Sequence, residues 1–297
     1  MPSLSPAALL ALAVLAGSAM DATIKRLIET NHVLLVVLGR YLFGAMFSAA
    51  VWIRAGAPAI SSEMWRAHSL RGLLIAISGA GFFWSFTVLP LAEAITYSFV
   101  GVLVIPVAAA LMLGERLRTS SLTAAALGFA GVMVAAQGAP GAEQSPLHAW
   151  GVGAVLVSAI LFAVAMVLMR ARAFNDGPVI VSLLASLTPA FFMAGPALLL
   201  SPPPHWGDWP VFVLLGLFAA CFMYLLAQAY ARAQAQFLAP IYYTELVWAS
   251  LLGYLFFAEI PRPQIYLGAL LIIAAGLLAA YDERKRNRLD SASVPPP

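Results

Sequence analysis

The stretch PVAAALMLGERLRTSSLTAAALGFAGV, residues 106–132, has a counterpart in SLLGYLFFAEIPRPQIYLGALLIIAAG, residues 250–276. In both, an apolar helix ends in a small residue and a glutamate, Gly114-Glu115 and Ala258-Glu259, and a short basic turn leads into a Gly-rich helix. Just upstream, Ala92-Glu93-Ala94 corresponds to Ala233-Gln234-Ala235. An internal duplication is the first thing to look for in a chain, because it fixes the architecture of both halves at once.

Outward from these two stretches the chain is a series of apolar runs. A hydrocarbon core of about 30 Å is spanned by roughly 20 helical residues at 1.5 Å each. Runs of that size predict helices at 6–26, 33–53, 71–89, 92–113, 120–137, 149–171, 178–200, 209–231, 235–258 and 264–281. The composition agrees: 62% of the 297 residues are apolar and 10% are charged, whereas soluble domains carry about 25% charged residues. The expected fold is therefore an all-α polytopic membrane protein of ten transmembrane helices.

Five helices per half is an odd number, so a genuine duplication places the second copy upside down in the membrane. The expected organisation is a first five-helix repeat over 1–142, an inverted second repeat over 143–283, and a disordered cytoplasmic tail over 284–297. Inverted repeats of this kind build secondary transporters, with the site near the bilayer midplane between the halves.

The cations give an orientation. Twelve of the sixteen fall on one side: Arg54, Arg66, Arg71, Arg116, Arg118, Arg170, Arg172, Arg232, Arg284, Lys285, Arg286 and Arg288. Lys25, Arg26 and Arg262 fall on the other, and Arg40 lies within a helix. The positive-inside rule then puts both termini in the cytoplasm, as for a bacterial inner-membrane protein. The basic DERKRNR tail fixes orientation beyond a last helix, and no nucleic-acid partner is expected. The first helix is followed by Asp21, Lys25 and Arg26 rather than a small-residue cleavage site, so it is expected to stay as a span.

Several chemistries are disfavoured. The one cysteine, Cys221, lies in an apolar run and allows no disulfide framework. His32, His68, His148 and His205 are expected in connectors, and no His or Cys cluster has metal-ligand spacing, so neither metal nor cofactor is expected. There is no phosphate-cradling GxxxxGK[ST] sequence for a nucleotide-driven pump. An intramembrane enzyme is thereby the weaker alternative, and a non-transporting receptor or assembly factor the stronger one.

The chain resembles the drug/metabolite transporter superfamily in its ten-helix EamA-type form. The resemblance rests on Arg40 in LGRYLFG, Pro106 nine residues before Gly114-Glu115-Arg116, the short fifth helix and the Glu259 echo. Ser250 stands where the second copy often has proline, and Ala16-Gly17-Ser18 lacks the tryptophan common before that glycine. The resemblance implies export of amino acids, drugs or related metabolites, and the aromatic richness is most like the branch exporting aromatic and other neutral amino acids.

An ionised group within the bilayer needs a reason. Arg40, about 10 Å below the outer surface, and Asp21, at nearly the same depth on the first helix, are expected to form a buried ion pair, with Glu245 as the reserve partner. Glu245, near midplane, shares a helix face with Tyr242 and Trp248. With Tyr224 and Gln228 on the eighth helix, Phe83 and Trp84 on the third and Tyr97 on the fourth, these residues are expected to line a substrate pathway in which flat walls take apolar or aromatic substrates. The competing reading of each aromatic is packing against lipid or a neighbouring helix. Glu245 is also the candidate for a coupling proton. Pro106, Pro189, Pro196 and Pro240 are hinge candidates, since each removes an intrahelical hydrogen bond.

Overall fold

The computed structural model describes residues 4–89, 91–115, 119–136 and 147–257, and from there to the C-terminus residues 263–264, 267–268, 270–271, 273–275, 277–278 and 281. Every regular element among them is helical: α1 (Pro6–Ile28), α2 (Val33–Arg54), α3 (Ser62–Ser85), α4 (Leu91–Ser98), α5 (Val100–Leu113), α6 (Thr119–Ala136), α7 (His148–Asp176), α8 (Pro178–Leu200), α9 (Trp209–Arg232), α10 (Ala235–Leu238) and α11 (Thr244–Phe257). Short 3-10 turns lie at Trp206–Asp208 and Ala239–Tyr243. Five of the helices are long and apolar enough to cross a membrane. Their outward faces carry bare apolar side chains such as Leu42, Phe191 and Leu199, a surface suited to lipid and not to water. Glu259, Arg262 and the tail lie outside the described residues.

Most ends follow local chemistry. Ser5 and Ser61 cap α1 and α3 by accepting from the amides of Ala8 and Met64, each at 3.2 Å. Gly114 closes α5 with a φ of 66°, a left-handed conformation open to glycine, and its amide bonds the Ala110 carbonyl. Gly177, at φ 77°, makes the sharp turn from α7 into α8.

Four expectations are corrected here. The third helix begins at Ser62 and not at 71, so His68 and Arg71 lie inside it, buried, rather than in a connector. His148 likewise opens α7. The expected fourth helix is two helices, interrupted at Phe99, and the expected ninth is α10, a 3-10 turn and α11. Of the prolines, Pro240 alone sits in such an interruption; α5 runs on through Pro106, and α8 through Pro189 and Pro196.

The packing has an internal symmetry. Exchanging α1, α2, α3 and the α4–α5 pair with α7, α8, α9 and the α10–α11 pair maps the principal contacts onto one another: α1 on α9 onto α7 on α3, α2 on α9 onto α8 on α3, and α1 on α11 onto α7 on α5, while α2 on α8 maps onto itself. Small residues permit the close approaches. A Cβ at Gly216 of α9 would fall 2.6 Å from the Phe43 backbone of α2, and one at Gly101 of α5 would fall 2.8 Å from the Ala159 carbonyl oxygen of α7.

Polar clasps hold the two ends of the bundle. At one end Asp208 accepts from Thr30 and Asn31, both at 2.7 Å, and these hydrogen bonds hold its carboxyl below the usual range. At the other, Arg172 makes a two-point bond to Asp176 and reaches Glu63, while His68 meets Asp176 at 3.1 Å. There too Glu115 lies 3.5 Å from Arg170, whose guanidinium donates to the Tyr230 carbonyl.

Candidate functional site

The two interrupted helices come together inside the bundle. Phe99, at the first interruption, lies with its ring centroid 5.4 Å from that of Tyr243, which ends the second. The Tyr243 ring rests on Gly128 of α6, where even a Cβ would collide with it. Paired interrupted segments in corresponding places of two halves are where a transporter binds its cargo, because irregular backbone at membrane depth survives only around a cavity.

Such a cavity is present. It encloses about 130 Å³ and is walled by α1, α2, α3, the end of α4, α5, α7, α9, α11 and the 3-10 turn. Seven of its lining residues are aromatic: Tyr41, Phe82, Phe83, Phe99, Phe162, Phe222 and Tyr242. Phe82, Phe83 and Phe86 form an edge-to-face group at centroid distances of 4.8–5.6 Å, which stiffens that wall. Ser78 donates to the Ser158 carbonyl at 2.8 Å, tying α3 to α7 at the cavity edge.

Three acidic or basic side chains also line it: Asp21 from α1, Arg40 from α2 and Glu245 from α11. The interruption at Ala239–Tyr243 explains the position of Glu245, since it makes this residue the second of a new helix. There the unpaired amides and the helix dipole favour a carboxylate. Asp21 and Glu245 thus bring two carboxyl groups from α1 and α11 to the same cavity as the Arg40 guanidinium. Arg40 stands over the rings of Tyr41 and Phe83, its guanidinium carbon 5.0 and 5.7 Å from their centroids, and its Nε has no hydrogen-bond partner. Arg40 and Asp21, expected from the sequence as an ion pair, line the same cavity, with Arg40 leaning on aromatic faces.

Of the expected pathway residues, the structure gathers Glu245, Tyr242 and Phe83 at the cavity with Asp21 and Arg40, and leaves five off its wall. Gln228 bonds to the Tyr224 hydroxyl and to Arg232, a ladder along α9. Tyr97 packs with Leu89, Ala94 and Val155. Trp84 is half-buried on α3, and its carbonyl accepts from Thr87. Trp248 packs on the core with its indole N–H buried and unpaired.

Sequence reasoning missed Phe82, Phe99, Phe162 and Phe222 on the wall and Arg71 behind it. Arg71 is 2% exposed, its guanidinium donates to the Met223 sulfur at 4.0 Å, and its Nε is unpaired. Tyr242 bonds the Tyr230 hydroxyl at 3.3 Å on the same side. Among the described residues no group of His, Cys, Asp and Glu side chains could hold a metal ion.

A helical bundle with apolar outer faces, two interrupted helices and a charged, aromatic cavity where they meet defines a membrane carrier of small molecules. The chain belongs to the EamA-like transporter family, whose model matches residues 4–137 and again residues 149–281. It is similar to a riboflavin transporter of Rhizobium johnstonii, with 30% identity over 84% of this chain and 81% of that one. It is also similar to an S-adenosylmethionine uptake transporter of Rickettsia bellii, with 24% identity over 92% of each chain. A crystal structure with a TM-score of 0.78 and 23% identity covers 94% of this chain and 99% of its own, which establishes the fold. These relatives are named for a flavin and a sulfonium nucleoside, and not for amino-acid export.

Proposed function

We propose that this protein moves a metabolite bearing a flat aromatic or heteroaromatic ring across the inner membrane by alternating access, with the central cavity as its binding site. The supporting observation is the meeting of Phe99 and Tyr243 at the two helix interruptions, over a cavity whose walls are rings and whose polar groups are Asp21, Arg40 and Glu245. Rings stack on flat walls, and a few charged groups select and orient what enters. The relatives' riboflavin and S-adenosylmethionine fall in this class, and so do the aromatic amino acids suggested by the sequence. The cargo crosses unchanged, since alternating access needs no catalytic group.

The symmetric packing and the double family match favour two inverted five-helix halves, 1–142 and 143–283, rocking about the cavity. Pro240, in the interruption, is the hinge this reading prefers; Pro106 and Pro189 serve as fixed bends.

Proteoliposomes containing the purified protein and offered labelled riboflavin, S-adenosylmethionine, tryptophan and phenylalanine should move at least one of them at ten times the rate of empty vesicles. Silence across the panel would favour the receptor reading instead.

The cations favour cytoplasmic termini: with Arg71 buried inside α3, eleven fall on that side and three on the other. In a Cys221→Ala background, Ala59→Cys should react with an impermeant thiol reagent only from the cytoplasmic side and Trp206→Cys only from the other. Reversed accessibility would refute the orientation.

A further inference from the structure

Three walls of the cavity continue past it and meet again. Ile105 of α5, Phe162 of α7 and Met223 of α9 line the cavity, and Glu115, Arg170 and Tyr230 lie farther along the same three stretches of chain. At 1.5 Å per helical residue that advance is about 10–15 Å. There Arg170 Nε stands 3.5 Å from Glu115 Oε1, and its Nη1 donates to the Tyr230 carbonyl at 2.8 Å. That carbonyl belongs to the last turn of α9, where carbonyls lack partners along the helix and the dipole favours a cation. Arg170 thereby joins the ends of α5 and α9, which are not principal neighbours of each other.

The junction is built to come apart. Glu115 is only half satisfied, since its Oε2 is buried with no hydrogen-bond partner. At the same end Arg172 holds Asp176 by a short two-point bond, a stronger kind of contact. That bond lies within α7, which is also tied to α3 at the cavity edge through Ser78. The Arg170 junction has a connection of a different kind. The Tyr230 hydroxyl meets the Tyr242 hydroxyl at 3.3 Å, with both side chains buried. Tyr242 lines the cavity and belongs to the 3-10 turn that interrupts the ninth segment. Contacts thus run from the cavity wall to the end of the bundle through Tyr242, Tyr230, Arg170 and Glu115.

We propose that Glu115, Arg170 and the Tyr230 carbonyl form a latch that closes the cavity toward this end, the cytoplasmic one in the orientation the cations favour, and that the two tyrosines link the latch to the cavity. The inference rests on the cavity being the transport site. Alternating access parts the walls at one end at a time, and α5 and α9 cannot part here while Arg170 holds both. The Glu115 contact is the longer one, so it is the one that yields: Glu115 leaves with α5, and Arg170 stays on the α9 carbonyl. A ring lodged against Tyr242 displaces the hydroxyl that braces Tyr230, and the latch loosens when the cavity is filled. The coupling works in both directions, since an open latch in turn frees Tyr242 to receive the ring.

The test uses the full-length protein in membrane vesicles of both orientations, with Val102→Cys as the reporter in a Cys221→Ala background. Val102 is buried and lines the cavity, so a small impermeant thiol reagent reaches it only through an open end. Labelling of Ala59→Cys, between α2 and α3, marks the face that carries the latch. Glu115→Gln should speed labelling of the reporter through that face about tenfold, the weight of one charge-assisted hydrogen bond, and slow it through the opposite face. Arg170→Gln should do at least as much, and the double variant no more than Arg170→Gln alone, because both act on one contact. Tyr242→Phe removes only the hydroxyl and should give a smaller shift in the same sense, absent when Arg170→Gln is already present. Faster labelling through both faces would mean general loosening, and unchanged rates a fixed structural pair; either result overturns the latch. A Tyr242→Phe effect undiminished by Arg170→Gln overturns the link to the cavity. A reporter that reacts through neither face in any variant, while Ala59→Cys reacts, overturns the cavity as transport site and the latch with it. Glu115→Gln decides the latch even if Arg170→Gln fails to fold, and Tyr242→Phe is then read against it.

Discussion

Glu245→Gln is expected to insert and fold like the wild type and to lose net transport by about ten- to a hundredfold. Gln keeps the shape of the side chain, so packing at the start of α11 survives. What disappears is an ionisable carboxyl at the meeting point of α1, α2 and the interrupted ninth segment. A hydrogen bond to a charged group is worth about 1.5–3 kcal/mol, and each 1.4 kcal/mol is a factor of ten, which sets the range. Gradient-driven uptake and equilibrium exchange should be measured side by side in proteoliposomes, with thermal unfolding as the control for folding. Exchange that outlasts net transport would place the loss in proton movement; equal loss of both would place it in substrate binding. Wild-type rates from a well-folded Glu245→Gln protein would reduce this residue to a packing role.

The helices were largely legible because a bilayer leaves so little choice. Long apolar runs can satisfy their backbone groups only as helices, and α1, α2, α6, α7, α8 and α9 lie within a few residues of the expected bounds. The start of α3 was hidden because hydrophobicity begins only after Arg71, while its actual signal is Ser61 capping the Met64 amide with Glu63 in the first turn. The later end of α7 has a similar source: Arg172 and Asp176, one turn apart, extend the helix by pairing along it.

The interruptions were harder. Pro240 advertises the second, but Phe99 is an ordinary residue for a helix, and the break there follows from how the chain packs against Tyr243 and α7. This also explains which site residues were found. Asp21, Arg40 and Glu245 stand out because charge within an apolar run is costly wherever it faces. The aromatic wall did not, because an apolar helix presents rings in every direction and only the neighbours decide which ones face the cavity. Tyr224 and Gln228 were spaced one turn apart as a lining pair would be, yet the same spacing serves their bonds to each other and to Arg232.

Asp176→Ala should be the most damaging single substitution to stability, lowering it by about 3–5 kcal/mol, the cost of breaking a buried ionic cluster by removing one partner. The Asp176 side chain is 2% exposed and His68 is 1% exposed, so neither is hydrated when the carboxylate is lost. Arg172 donates to both of its oxygens at 2.9 Å, and His68 approaches at 3.1 Å. His68 is in turn fixed through its carbonyl, which accepts from Thr188 of α8 at 3.1 Å. The carboxylate therefore joins α3, α7 and α8 immediately before the Gly177 turn. Glu63 meets the same arginine, but its side chain is 77% exposed, so Glu63→Gln should cost no more than about 1 kcal/mol, the usual value of a solvated pair. Thermal unfolding in one detergent ranks the two variants directly, and His68→Ala combined with Asp176→Ala should cost less than the sum of the separate losses, because the two residues share one contact. Equal behaviour of Asp176→Ala and Glu63→Gln would mean that water reaches the cluster and that the three helices are held at this end by apolar packing alone.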